Sequence, residues 1–269
     1  DIVDATERAD EPYFLWVFLL DTHNPFIVPR ADRHESSTVG MYYSLLRSNR
    51  IRTTDGDQTS FKNQISDRTE SMLKEGYRDC VRSVDRFVDR LLTDLGSDDP
   101  VLIFNSDHGE AFDEHGTYGH QSVVYEENIR VPLMVYNSGN TGNVETPTSL
   151  RQLPDMICEF VRHGVPFEDE RWGSDYVVSR AQLSGMTAVR GTEWKYVSDG
   201  GTEYLFNVRR DPSEEVDEAE DNPAKLKEMR EHLGRFIARI EGKTAEFEKE
   251  DDIDPEIKGR LESLGYVME

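Results

Sequence analysis

Asp107 and His108 place a carboxylate beside an imidazole, shortly after the apolar segment VLIF at 101–104. Gly109 follows, and because glycine has no Cβ the backbone can turn there and direct both side chains to one point. Such a pair is half of a divalent-metal site, since Ca²⁺ takes roughly six to eight oxygen ligands and Zn²⁺ roughly four donors. We predict that Asp107 and His108 are metal ligands. A polar turn without a metal is the alternative for so short a motif.

Three further histidines could bind an oxyanion. His115 and His120 follow His108 by seven and twelve residues in one glycine-rich polar loop, and His23 lies in a similar loop after the apolar segment 13–20. Imidazoles can hold an oxyanion and protonate a leaving alkoxide near neutral pH. His23, His115 and His120 are therefore candidate substrate-binding residues, and any of them could act as a general acid. A structural role in the loop backbone is the alternative, above all for His115.

Apolar segments indicate the elements that must position these residues. The run YFLWVFLL at 13–20 is typical of a strand that is buried on both faces, and two more strands are expected at 101–104 and 131–136. From about Ile65 to Leu95 the apolar positions recur at three- and four-residue steps, which predicts a long amphipathic helix. The alternation of strands and helices indicates an α/β fold with a parallel-rich sheet, whose strand ends carry the polar loops.

The second half of the chain has a different pattern. A helix is expected at 149–161, and the short segments DYVVS, MTAVR, WKYVS and EYLFNV predict a small antiparallel sheet. Trp194, Lys195 and Tyr196 are expected to pack within this sheet, and a position of Lys195 facing the cleft is the alternative. A charged amphipathic helix is expected at about 223–241. We therefore predict a catalytic α/β domain at 1–165 and a C-terminal subdomain at 166–269.

The composition excludes some partners. The chain has 31 Lys and Arg against 54 Asp and Glu, a net charge of −23, so nucleic acid is not an expected partner. Only eight of the basic residues are Lys, and we expect a halophilic source from this acidic, arginine-biased surface. Cys80 and Cys158 have no metal-binding spacing and are predicted to be structural thiols. No apolar run is long enough to span a membrane and no signal peptide is visible, which favours the cytoplasm. The oligomeric state has no sequence signal.

Several motifs together resemble the sulfatase family of the alkaline-phosphatase superfamily. The segment SDHGEAFDEHGTYGHQSVVYEENIRVPLMVY at 106–136 is similar to the stretch that supplies the second pair of metal ligands and a substrate-facing basic residue. FLWVFLLDTHNPFIVP at 14–29 resembles the family's Asp-x-His-x-Pro segment, and AVRGTEWKYVSDGGTEYLFNVRRDPSEEVD at 188–217 resembles its C-terminal subdomain. The helix YRDCVRSVDRFVDRLLTDL at 77–95 and the ending DPEIKGRLESLGYV at 254–267 also match.

This resemblance implies a fold, a reaction and a cofactor. The fold would be a mixed, largely parallel sheet flanked by helices, with a small antiparallel C-terminal subdomain. The reaction would be hydrolysis of a sulfate ester of a small molecule or glycan. Asp107 and His108 would ligate the metal, usually Ca²⁺, while His23 and His120 would contact the sulfate group or protonate the leaving oxygen. Many relatives have Asn in place of His108, and an imidazole ligand leaves room for Mn²⁺ or Zn²⁺.

One part of the family pattern is absent. Sulfatases carry two consecutive Asp ligands and a Cys-x-Pro-x-Arg segment, whose Cys becomes the formylglycine nucleophile, near their N-terminus. Neither Cys80 nor Cys158 has that context. The resemblance therefore implies an N-terminally truncated sulfatase, whose residues 1–269 alone are expected to be inactive.

Two other functions agree with the same residues. A phosphoester or phosphonate hydrolase of the same superfamily also carries Asp-His-Gly after a strand. A non-catalytic protein that retains only the sulfate or glycan pocket is the second alternative. The segment upstream of Asp1 would discriminate among the three, because it would carry the nucleophile.

Overall fold

The computed structural model describes residues 13–51, 66–95, 100–120, 123–139, 141–167 and 170–247. The helices are α1 (Thr38–Ile51), α2 (Asp67–Leu95), α3 (Glu126–Ile129), α4 (Leu153–His163) and α5 (Pro223–Phe247). The strands are β1 (Leu102–Asn105), β2 (Ala111–Phe112), β3 (Tyr118–Gly119), β4 (Leu133–Tyr136), β5 (Val177–Arg180), β6 (Thr187–Arg190), β7 (Trp194–Asp199) and β8 (Thr202–Asn207). The chain is thus a mixture of helix and sheet, as the sequence predicts. The motif at 254–267 lies outside the described residues.

Strands β1 and β4 form at the predicted positions but pair antiparallel. Leu102 lies opposite Tyr136, and Asn105 lies opposite Leu133. The parallel pairing that we expected is not seen in the described ranges, where every strand pair is antiparallel. Both strands are also only partly covered, because alternate residues of β4 face solvent.

The apolar run 13–20 is not a buried strand, contrary to the sequence prediction. Phe14, Trp16 and Phe18 are 75%, 78% and 64% exposed. A strand needs neighbours that satisfy its backbone N–H and C=O groups. No strand within the described ranges pairs with this run, so its apolar composition does not lead to burial here.

Helix α2 confirms the long amphipathic helix that the apolar spacing predicts. Its buried residues include Leu73, Cys80 and Val84. Leu73 and Cys80 pack in a cluster with Phe26 and Val28 of the His23 loop and Phe112 of β2. The helix therefore holds the two predicted site loops against one surface.

The C-terminal antiparallel sheet is confirmed strand by strand, in the order β5-β6-β7-β8. One side of the sheet packs on α5 through Val189, Tyr196, Leu205, Met229 and Leu233. Its other side packs on the segment before α3 through Ala188, Val197, Phe206, Val123 and Val124. The sheet is therefore in contact with the segment that follows the histidine loop. None of the described helices combines the length and apolarity needed to cross a bilayer.

Candidate active site

The turn after β1 holds Asp107 and His108 in a defined conformation. The Ser106 hydroxyl donates to the His108 carbonyl oxygen at 2.7 Å. The His108 N–H in turn donates to Asp107 Oδ1 at 3.0 Å. These local bonds fix the turn independently of any bound ligand.

Gly109 lets this turn approach α3 closely. Its N–H donates to the Asn128 carbonyl oxygen at 2.8 Å. A Cβ at this position would overlap the Glu127 carbonyl oxygen, a backbone atom that cannot move aside as a flexible side chain would. The glycine is therefore required by the contact with α3 as well as by the turn.

Asp107 and His108 present two donor atoms that one cation could share. His108 Nδ1 lies 2.9 Å from the Gly109 carbonyl oxygen, so Nδ1 carries the hydrogen and Nε2 keeps its lone pair. Nε2 lies 3.8 Å from Asp107 Oδ2. A cation at the usual bond lengths of about 2.0–2.4 Å can reach both atoms.

This pair fits part of a metal site, not a whole one. Among the described residues, no group of three or more His, Cys, Asp or Glu side chains is arranged to hold a metal ion. The Asp107 carboxylate is 67% exposed and the His108 imidazole is 38% exposed, so both are accessible to a cation and to further ligands.

Three of the predicted histidines are brought together. The rings of His108 and His120 stack with centroids 4.3 Å apart and planes inclined by 27°. The His23 ring lies 5.5 Å from the His120 ring. His23 is held by the loop itself, since its Nδ1 lies 2.6 Å from the Asn24 carbonyl oxygen. Residues from two separate loops thus form one imidazole cluster beside Asp107.

Glu110 also belongs to this cluster, although no sequence motif marks it. Its side chain is only 8% exposed, and Oε2 lies 3.6 Å from His120 Nδ1. That distance is too long for a hydrogen bond, but it gives His120 a nearby negative charge. The surrounding acidic residues masked any sequence signal for Glu110.

His115 takes a different position from the one predicted. Its Nδ1 lies 2.8 Å from Glu127 Oε1, and its Nε2 lies 3.2 Å from the Glu214 carbonyl oxygen. The ring stacks on Tyr125 with centroids 3.7 Å apart. Burial opposes protonation, but the Glu127 carboxylate raises the pKa of His115 overall. With both nitrogens engaged, this geometry favours the structural alternative over substrate binding.

The cluster opens onto a cleft of about 2090 Å³. Its lining includes Asp107, His108 and His120, together with Arg130, Arg180 and Arg209. His23 is not among the lining residues, but its ring contacts His120, which is one of them. Lys195 is fully buried, as expected for packing within the sheet, and does not face the cleft.

Neither cysteine is placed to act as a nucleophile. Cys80 is buried in the α2 core, and burial raises the pKa of its thiol to about 12. A thiol of such high pKa stays protonated and unreactive near neutral pH. Cys158 is exposed on α4, so the expectation of a buried structural thiol is wrong there.

Comparison with known proteins identifies the family. Residues 1–159, more than half of the chain, match the profile of the sulfatase family. The choline-sulfatase of Rhizobium meliloti (strain 1021) is 28% identical over 161 residues, which cover 52% of this chain and 31% of that protein.

Solved structures confirm the fold. The phosphonate monoester hydrolase of Agrobacterium radiobacter superposes with a TM-score of 0.65 at 20% identity, over 88% of this chain and 59% of that one. A 2-O GAG sulfatase superposes with a TM-score of 0.54 at 20% identity, over 74% of this chain and 49% of that one. At this identity the likeness concerns the alkaline-phosphatase-like α/β fold alone. The chain spans about a third of the length of the choline-sulfatase and about half to three fifths of these structures.

The match over residues 1–159 includes both loops of the imidazole cluster and the Asp107–His108 pair. The chain therefore belongs to the sulfatase family.

Proposed function

We propose that the protein containing this chain hydrolyses sulfate esters, R–O–SO₃⁻, and that this chain provides the part of the site that binds the ester and the metal. The convergence of His23, His108 and His120 beside Asp107, at the rim of an open cleft, is the observation that carries this proposal. The family match supports it, because the matched region contains all four residues.

His120 and His23 would act on the sulfate group and the leaving oxygen. The His120 side chain is 42% exposed and lines the cleft, so it can reach a bound ester. As imidazolium it would donate a hydrogen bond to a sulfuryl oxygen, or pass its proton to the alkoxide that leaves when the S–O bond breaks. His23 would support the His120 ring from the second loop, outside the cleft lining.

Asp107 and His108 would hold a divalent cation through Oδ2 and Nε2. Ca²⁺ is the ion that the family resemblance implies, whereas an imidazole donor suits Mn²⁺ or Zn²⁺ better than Ca²⁺. A bound cation would polarise the sulfuryl oxygens and make the nucleophile more acidic. The role of the chain's own residues is to hold that ion next to His120.

The nucleophile is proposed to be a formylglycine outside this chain. Cys80 and Cys158 both lack the Cys-x-Pro-x-Arg context, and Cys80 is inaccessible as well. Turnover is therefore expected only from a protein that adds the missing segment to residues 1–269.

The substrate is proposed to be a sulfated small molecule or glycan. Arg130, Arg180 and Arg209 line the cleft, and in the described ranges no carboxylate oxygen lies within 4.0 Å of their guanidinium groups. Guanidinium groups that line the same cleft as His108 and His120 favour an anionic ligand in an otherwise acidic protein. The named activities of the choline-sulfatase and the 2-O GAG sulfatase span the same range, from a small molecule to a glycan.

Binding of inorganic sulfate to residues 1–269 tests the proposal without requiring turnover. We expect sulfate to shift the imidazole NMR signals of His23 and His120, and to leave those of His163 and His232 unchanged. Unchanged signals of His23 and His120 at saturating sulfate would contradict the proposed site. The titration is carried out at a constant, high KCl concentration, because salt screens the repulsion among the many surface carboxylates. For the same reason we expect the protein to be more stable in high KCl than in dilute buffer.

Hydrolysis assays discriminate among the alternatives. The protein extended upstream of Asp1 should cleave 4-nitrophenyl sulfate faster than 4-nitrophenyl phosphate or a phenylphosphonate ester. The opposite order would support the phosphoester or phosphonate hydrolase. Sulfate binding without hydrolysis of any ester by the extended protein would support a binding function instead. Hydrolysis by residues 1–269 alone would contradict our placement of the nucleophile.

A further inference from the structure

A buried cluster of charges lies between the C-terminal sheet and α3. Lys195 on β7 is 0% exposed, and its Nζ lies 3.2 Å from Glu126 Oε1 and 2.7 Å from Glu214 Oε1. Glu214 Oε2 also accepts a hydrogen bond from the Glu126 N–H at 2.6 Å. Arg190 on β6 adds a second cation, with Nε 3.4 Å from Glu126 Oε1.

Lys195 is the charge that balances this cluster. Burial raises the pKa of Glu214, although the Lys195 ammonium opposes this shift. Removal of one partner from a buried ion pair is far more disruptive than removal of both, because an uncompensated charge is left behind. The position of Glu126, the first residue of α3, therefore depends on Lys195.

Helix α3 is hydrogen-bonded to the backbone beside His108 and to the backbone beside His120. The Asn128 carbonyl oxygen accepts from the Gly109 N–H, next to His108. The Asn128 side-chain amide donates to the Gly119 carbonyl oxygen at 3.0 Å, next to His120. Asn128 is 4% exposed, so water does not compete readily for these bonds.

His115 provides a second connection of the same kind. It contacts Glu127 of α3 through one ring nitrogen and the Glu214 carbonyl oxygen through the other. The loop that carries the imidazoles is thus tied at two points to the residues that surround Lys195.

We propose that Lys195 is a positioning residue of the site: through Glu126 and α3 it fixes the relative placement of the Asp107–His108 turn and His120. The function of that placement rests on the proposed sulfate-ester site, but the physical coupling does not. Lys195 contacts no substrate, since it does not line the cleft. When the Lys195 charge is removed, the loop that carries His108 and His120 would then change its geometry while the rest of the protein stays folded.

Amide hydrogen exchange of residues 1–269 tests the coupling directly. In Lys195→Met we expect the Gly109 amide to exchange at least about 10-fold faster, because local opening of the α3 contact becomes easier. The amide of Cys80, buried in α2, should change by less than about 3-fold, since in the described part of the chain no ion pair joins α2 to the cluster. Lys225→Met, which removes the exposed ion pair with Glu228, is the matched control and should leave both amides unchanged.

Two further variants keep the test decisive if Lys195→Met does not fold. Glu126→Gln removes the α3 carboxylate that faces Lys195 and should accelerate the exchange of the Gly109 amide in the same selective way. Lys195→Met combined with Glu214→Gln removes both members of the Lys195–Glu214 ion pair and should restore folding without restoring the protection of Gly109. Equal acceleration of the Gly109 and Cys80 amides, or no change at Gly109, would overturn the proposal. Failure of the wild type to bind sulfate would contradict the proposed function and leave this result intact.

Discussion

The rings of His108 and His120 stack at 4.3 Å although the residues are twelve positions apart in the sequence. The hairpin of β2 and β3 brings them together, because Ala111 lies opposite Gly119 and Phe112 lies opposite Tyr118. The chain therefore returns to the Asp107–His108 turn immediately after Gly119. The short β2–β3 hairpin thus places His108 and His120 next to each other in the candidate site.

Replacement of His120 should weaken anion binding. His120→Gln removes a charge-assisted hydrogen bond, which is worth about 1.5–3 kcal/mol, so we expect roughly 10- to 100-fold weaker binding of inorganic sulfate. His163→Gln, on the exposed end of α4, is the matched control. The measurement is a sulfate titration by calorimetry at constant KCl. Equal affinities of the two variants would speak against a role of His120 in the anion site.

Gly109 and Gly234 should respond in opposite ways to alanine. Gly109→Ala forces a Cβ into the Glu127 carbonyl oxygen and should lower the free energy of unfolding by at least about 2 kcal/mol. Gly234 lies in α5, where an added Cβ would meet open space, so Gly234→Ala should raise stability by about 0.5–1 kcal/mol. Urea unfolding of both variants measures the difference. A Gly109→Ala variant as stable as the wild type would show that the close contact between Gly109 and the α3 backbone does not form in solution.

Asp79 should make the fold sensitive to acid. Burial opposes its charge, but the N–H groups of His34, Glu35 and Ser36 and the Ser36 hydroxyl lower the pKa of Asp79 to about 2. A carboxyl group with a lowered pKa stabilises the fold above its unfolded pKa of 3.8 and loses that contribution as the pH falls towards 2. The contribution near neutral pH is about 2 kcal/mol.

Asp79→Asn tests this contribution. The variant should be about 2 kcal/mol less stable than the wild type at pH 7, with a difference that shrinks below pH 4. Asp85→Asn, an exposed position on the same helix, serves as the control. A stability difference that does not depend on pH would assign the effect to packing and not to the charge of Asp79.

His115 should show the opposite pH dependence. Because Glu127 raises the pKa of His115 in the folded state, the charged pair stabilises the fold at low pH and loses this effect as the pH rises through the folded pKa. Glu127→Gln should therefore lower the pKa of His115 in an NMR titration, and should reduce stability more at pH 6 than at pH 9. An unchanged pKa in Glu127→Gln would show that the contact does not form in solution.

The sequence predicts helix α2 and the C-terminal sheet well because their signals are local. Alternating apolar residues define β5 to β8, and apolar residues at three- and four-residue steps define α2. The prediction of a buried strand at 13–20 is wrong for the opposite reason. Burial of a strand depends on neighbouring elements, which the residues of the strand itself do not specify.

In the candidate site, too, some residues could be predicted from local sequence signals and others could not. The grouping of His23, His108 and His120 follows from polar loops that succeed apolar segments, and the structure brings these three together. Glu110 and Lys195 have no local signal, because only the folded chain shows which charges are buried and which charges face them. The predicted domain boundary at 165 and 166 stays a prediction.

Broadening of the imidazole NMR signals of residues 1–269 by Mn²⁺ tests the shared site most directly, because the paramagnetic effect falls steeply with distance. Substoichiometric Mn²⁺ should broaden the signals of His108, His120 and His23 before those of His34, His163 and His232. Asp107→Asn should remove this preference, which separates the site from ions held loosely by the acidic surface. Equal broadening of all seven histidines, or a preference that survives Asp107→Asn, would contradict a site shared by these residues.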